Sequence, residues 1–184
     1  VVTEAAGIYR RLAEARPDAF LPSLAASLNN RSIRLGELER REEALEVVTE
    51  AAGIHRRLAE ARPDAFLPSL AMSLNNRSIQ LGELGRWKEA LEAITEAVRI
   101  RRALAEARPD AILSDLAGSL HNQSKCLAGS GRWEEALEVI TEAVAIRRRL
   151  AALRPAVHQP ELEQSLEVLG WLESFGSDDG NATA

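Results

Sequence analysis

The chain has 184 residues, 46% of them hydrophobic, 28% charged and 4% aromatic, with a net charge of −5. It is rich in Ala, Leu and Glu, and 21 of its 23 basic residues are Arg, a bias that suits a GC-rich bacterial genome. These residue types cost least in a helix interior, so the composition is that of a helical chain. No apolar run approaches the ~18 residues of a membrane span. One cysteine, Cys126, excludes a disulfide scaffold or a multi-cysteine zinc site. The acidic balance argues against a nucleic-acid partner, and the apolar content is too high for disorder.

Along the chain a unit of 46 residues repeats, and 184 is four times 46. Residues 3–48 and 49–94 differ at eight positions, 9, 26, 34, 39, 41, 42, 47 and 48, leaving 38 identical. Residues 95–140 have drifted further. Such similarity points to recent duplication or design, and to an array rather than a globular enzyme.

In chain order, residues 1–16 read as a second-type helix whose partner is missing, since Val1-Val2-Thr3 matches Val47-Val48-Thr49. The expectation is therefore a chain cut from a longer array, with Ile8 and Leu12 exposed and this end stacking on another copy. Residues 17–62, 63–108 and 109–154 each read as a helix pair. In the middle pair, Leu70, Leu74, Leu81 and Leu84 form one apolar stripe over about 68–84. A second stripe over 87–107 carries Ala90, Leu91, Ile94, Ala97, Val98, Arg101 and Leu104. Pro63, Pro109 and Pro155 are expected to stop second helices, while Pro22 and Pro68 fit the first turn of the following helix. Arg10–Glu14, Arg56–Glu60 and Arg102–Glu106 have i,i+4 spacing on a solvated face. Residues 155–175 keep the stripe with Leu162 and Leu166 but lose the Asn pair. They read as a cap in which Leu166, Leu169, Trp171 and Leu172 cover the last pair. Residues 176–184 are polar and read as a disordered tail.

The stretches Gly85-Arg86-Trp87-Lys88-Glu89-Ala90-Leu91-Glu92 and Gly131-Arg132-Trp133-Glu134-Glu135-Ala136-Leu137-Glu138 resemble the tetratricopeptide repeat (TPR). That family places Gly, an aromatic and Ala at this spacing, with a second small residue seven positions on, here Ala97 and Ala143. The Leu28-Asn29-Asn30 and Leu74-Asn75-Asn76 stretches, an extended second helix and the 46-residue period look closer to the long repeats of kinesin light chains. The resemblance covers residues 1 to about 154, and weakly to about 175. Two features depart from it. Arg31, Arg77 and Gln123 stand where an apolar residue is usual, with Ile33 and Ile79 two residues later, and Arg41 replaces the aromatic in the first unit.

The resemblance implies an all-α, right-handed α-solenoid of antiparallel helix pairs, a TPR-like superhelix of about eight helices. It also implies a protein-protein interaction scaffold whose first helices line a concave groove. Carried over by position, the groove displays Asn29, Asn75 and His121, beside them Asn30, Asn76 and Asn122, then Ile33, Ile79 and Lys125, with Ala26, Met72 and Gly118 one turn earlier. Asn offers an acceptor and two donors, so a ladder of Asn suits an extended peptide backbone. Ile and Met nearby would form shallow pockets for its side chains. The other reading of Asn30, Asn76 and Asn122 is a hydrogen bond within the repeat. His121 and Lys125, one turn apart, would suit an acidic group or ordinary surface polarity. The expected partner is a protein or peptide, and neither nucleic acid nor membrane.

Nothing points to catalysis, a cofactor or a metal. His55 shares its repeat position with Tyr9 and Arg101 and reads as a surface residue. Cys126 lacks the setting of an activated thiol. No P-loop, His-Glu-x-x-His or Gly-x-Ser-x-Gly motif occurs. No signal peptide is visible, which places the expectation in the cytoplasm. The alternative role is a spacer, self-assembly or sensor array within a larger bacterial signalling protein of the ATPase type.

Overall fold

A computed structural model describes residues 2–107 and 109–178. Among these residues the chain is all-α, with helices α1 (Val2–Ala15), α2 (Pro17–Glu37), α3 (Arg41–Ala61), α4 (Pro63–Glu83), α5 (Trp87–Ala107), α6 (Pro109–Gly129), α7 (Trp133–Leu153) and α8 (Pro155–Asp178). Two compact units divide within α5, at residues 100 and 101. Helix α8 runs on to Asp178, past the boundary expected at 175, and 179–184 lie outside the described residues.

Proline sets the helix starts. Pro17 and Pro63 occupy the first helical positions, where no N–H is needed and the fixed φ already suits the helix. The preceding Arg16, Arg62 and Arg154 are extended, with φ near −142°, as the proline ring requires. The first helices therefore begin five residues earlier than the expected start at Pro22 and Pro68. Those two prolines lie inside α2 and α4, where each forfeits one backbone bond.

Each first helix that is followed by a three-residue turn ends in the same motif. The amide of Arg40 reaches back to the Leu35 carbonyl and that of Glu39 to the Gly36 carbonyl, both at 2.9 Å. The same pair of bonds recurs at Arg86 and Gly85, and at Arg132 and Gly131. This is a Schellman closure, and it needs a left-handed residue. Gly85 (φ 71°) and Gly131 (φ 76°) supply it, but the first turn uses Glu39 (φ 58°).

In the first unit, α2 packs on α1 and α3, and α4 packs on α3 and touches α2. With one- and three-residue connections, neighbouring helices run antiparallel. Leu24, Ala25, Leu28 and Leu35 of α2 meet Ala44, Val47, Ala51 and Ile54 of α3, with Ala6 and Ala13 of α1. Alanine at so many contact points lets the helix axes approach closely. In the second unit, α7 packs between α6 and α8. Val144 and Ala151 meet Leu162, with Leu166 and Leu169 against them. Leu172 is buried as well, but Trp171, expected to join this cover, stays exposed.

The arginines of the second helices do not pair along their own helix. Arg10 reaches Glu50 and Arg56 reaches Glu96 in the first unit, and Arg102 reaches Glu142 in the second, each across to the next second helix at about 2.5 Å. These pairs replace the expected i,i+4 contacts, because the stacked helix brings an acid closer than the turn below does.

Candidate functional site

On α2 and α4, the buried leucines fix which face turns outward. Leu24, Leu28 and Leu35, like Leu70, Leu74 and Leu81, are buried, so positions at helical spacing on the far side are left to solvent. There Asn30, Ile33, Met72 and Ile79 are exposed and Asn76 is half-buried. Ile33, Asn76 and Ile79 come together in an open cleft of about 360 Å³, with Gly36, Gln80 and the ends of α2 and α4. Arg41 and Glu83 bridge its rim at 3.3 Å. A side chain at 36 would press on Gln80, 2.9 Å from an ideal Cβ, so Gly36 makes room for that carboxamide. The Gln80 Oε1 has no hydrogen-bond partner.

Asn29 is not part of this face. It is 1% exposed and its Nδ2 donates to the Ser73 hydroxyl of the next first helix at 2.8 Å. It faces α4 and ties two repeats together. His55 is likewise buried, at 2% exposure, and not a surface residue. Its Nδ1 lies 2.7 Å from the same Ser73 hydroxyl. Ser73 donates to the Ser69 carbonyl at 3.1 Å, so both neighbours must donate to it, and the His55 proton sits on Nδ1. Asn75 is half-buried.

The second unit carries a counterpart built from other residues. His121 is half-buried, and its Nδ1 stands 3.0 Å from the Ser165 hydroxyl. Arg147, buried, donates to Ser165 and, at 2.6 Å, to the Glu161 carbonyl. Burial, with Arg147 and Lys125 adding repulsion, pushes the His121 pKa down to about 4. His121 is therefore neutral near pH 7 and engaged inside the array. Asn122 is half-buried and Lys125 exposed. Arg101 makes the matching contact with Ser119 and the Asp115 carbonyl.

The serine at these junctions escaped the sequence reading, although it recurs every 46 residues at Ser27, Ser73, Ser119 and Ser165. The aromatic cluster of Trp133, Trp171 and Phe175 in the second unit escaped it too. Cys126 is buried, which raises its thiol pKa to about 11 and leaves it unreactive. Among the described residues no group of three or more His, Cys, Asp or Glu is placed to hold a metal, and no helix is long and apolar enough to cross a membrane.

These features define an α-helical repeat protein whose repeats interlock through small apolar residues and buried polar junctions. The family profile for the tetratricopeptide repeat matches residues 24–64 and 70–110. Those two stretches carry tetratricopeptide repeats, which support a protein-interaction repeat scaffold. None of the curated proteins matches its sequence. Among solved structures it is similar to aspartyl phosphate phosphatase F from Bacillus subtilis, with a TM-score of 0.65 and 16% identity over 86% of this chain. The chain spans 37% of that phosphatase. It is also similar to BtubC (BKLC) from P. vanneervenii, with a TM-score of 0.53 and 16% identity over 96% of this chain and 82% of that one. At this identity the likeness is one of fold.

Proposed function

We propose that the outward face of α2 and α4 binds an extended segment of a partner protein. The observation that carries this reading is the cleft in which Ile33, Asn76 and Ile79 meet between an ion-paired rim and the unpaired Gln80 oxygen. The two isoleucines would take apolar side chains of the segment. Asn30 and Asn76 would bond its backbone, as donor and acceptor, without demanding a particular sequence. The site is narrower than the ladder expected from the sequence, because Asn29 is committed to Ser73. A test selects peptides by display against the full chain, then measures the affinity of the best for Asn76→Ala and for Ile33→Ala with Ile79→Ala. A loss of roughly tenfold in the double variant, at unchanged helix content, is expected from removing two apolar anchors. Equal affinity for all three proteins would overturn the site.

A further inference from the structure

In the second unit the surface positions that hold Arg41, Ile79 and Glu83 in the first are all aromatic: Trp133, Trp171 and Phe175. An exposed ion pair has become a ring cluster. Trp133 stacks on Phe175 with centroids 5.0 Å apart and planes 10° apart. Trp171 meets both edge-on, at 5.6 and 5.0 Å. The three rings nevertheless keep 39%, 47% and 44% of their surface exposed, in the order Trp133, Trp171, Phe175. Each ring is held by the other two, so a partner would meet a surface already arranged for it, at little further entropic cost.

The charge around the cluster favours a cationic partner. Glu134 adjoins Trp133, Glu167 lies one helical turn before Trp171, and both are exposed. From residue 155 to 175 the sequence has four acidic residues and no Lys or Arg. A guanidinium over an aromatic face, with a carboxylate within reach, satisfies both features of the surface. The chain makes such pairs internally, with Arg16 5.2 Å over the Phe20 ring and Arg62 4.9 Å over that of Phe66. A second copy presenting the same acidic face would be repelled.

We propose that Trp133, Trp171 and Phe175 form a docking platform for an arginine-bearing, basic segment of a partner protein, steered by Glu134 and Glu167. This platform lies on the second unit and stands independently of the cleft between α2 and α4. Lys125, exposed at the matching position of α6, opposes the incoming charge.

The test uses the full chain and three capped peptides, Gly-Leu-Arg-Leu-Arg-Gly and its Lys and Glu counterparts, followed by tryptophan emission and calorimetry. The arginine peptide should bind saturably, tighter than the lysine peptide, and the glutamate peptide should not bind. Trp171→Leu keeps the apolar bulk and removes the π face. It should weaken the arginine peptide roughly fivefold, as should Glu167→Gln, while Lys125→Ala strengthens binding. Equal affinity for the arginine and glutamate peptides, or unchanged binding by Trp171→Leu with helix content intact, would overturn the proposal. So would a dimer in sedimentation that Trp171→Leu dissolves, since it would assign the face to a second copy.

Discussion

The first unit joins its repeats through Ser73 and the second through Ser165, and the two junctions show how little the geometry depends on the residues that fill it. In the first, a carboxamide and an imidazole N–H both donate to the serine, whose own proton goes to the carbonyl four residues back. In the second, a buried guanidinium donates to the serine, and the Nδ1 of His121 stands 3.0 Å from the same hydroxyl. Protonating His55 adds a proton at Nε2 and spares its bond to Ser73. Protonating His121 places a new charge in a buried setting beside Arg147. Burial disfavours the charged form of both histidines, and the second junction adds the repulsion of Arg147 and Lys125.

The sharpest way to break the second junction is Arg147→Met. It keeps much of the apolar stem but removes the donors to Ser165 and to the Glu161 carbonyl, and should cost about 3 kcal/mol in urea unfolding. Burial does most to depress His121, and the same change takes away one of the two cations that add to it, so the imidazole should titrate closer to its ordinary value in an NMR titration. An unfolding curve that does not move would show that the arginine is a passenger. Next comes Ser73→Ala in the first unit. It strands two buried donors, the Asn29 Nδ2 and the His55 Nδ1–H, and should cost about 2 kcal/mol by the same measurement.

The pH dependence follows from the lowered histidine pKa values. His121 titrates at about 4 in the folded chain, against about 6.5 when unfolded. A folded pKa below the unfolded one means that the stability is present above pH 6.5 and is lost as pH falls towards 4. His55 is also lowered by burial and adds to the loss in the same direction. His121→Asn restores the residue that the earlier repeats carry at this position, and Asn29 shows that it can donate to the serine. This variant should keep on the order of 1–2 kcal/mol that the unmodified chain loses between pH 6.5 and 4. Parallel losses in both proteins would place the acid sensitivity elsewhere.

Helix type and the bounds of α5 were legible because apolar spacing and turn glycines act locally. The starts of α2 and α4 were misjudged by five residues, since two prolines five apart both suit a first turn and only packing decides which one takes it. At the candidate site, Ile33, Ile79 and Asn76 could be assigned to one face from their offset to the buried leucines. Asn29 and His55 could not. A polar residue type argues for solvent, and the serine that justifies their burial is 44 residues away from one and 18 from the other. Trp171 failed in the opposite sense: its apolarity argued for cover, but it lies on the outer edge of α8 against the exposed ring of Trp133, with 47% of its surface exposed. Local pattern fixes a helix face, while partners distant in sequence decide whether a polar group on it is buried.

The smallest effect separates the turns. Gly85 and Gly131 take the left-handed residue of the Schellman closure, whereas Glu39 takes it in the first unit with φ 58°. A Cβ in that region strains against the following carbonyl, which costs roughly 1–2 kcal/mol per residue. Glycine removes the strain but gives the unfolded chain more freedom, which takes back part of the gain. The balance makes Glu39→Gly stabilising by about 0.5–1 kcal/mol, seen as a raised urea midpoint at unchanged slope. The reverse change, Gly85→Glu, should lower the midpoint by a similar amount, because the backbone bonds at Gly85 and Arg86 have the same 2.9 Å lengths as those at Glu39 and Arg40. If the two variants do not move in opposite directions, the left-handed residue is not what distinguishes the turns.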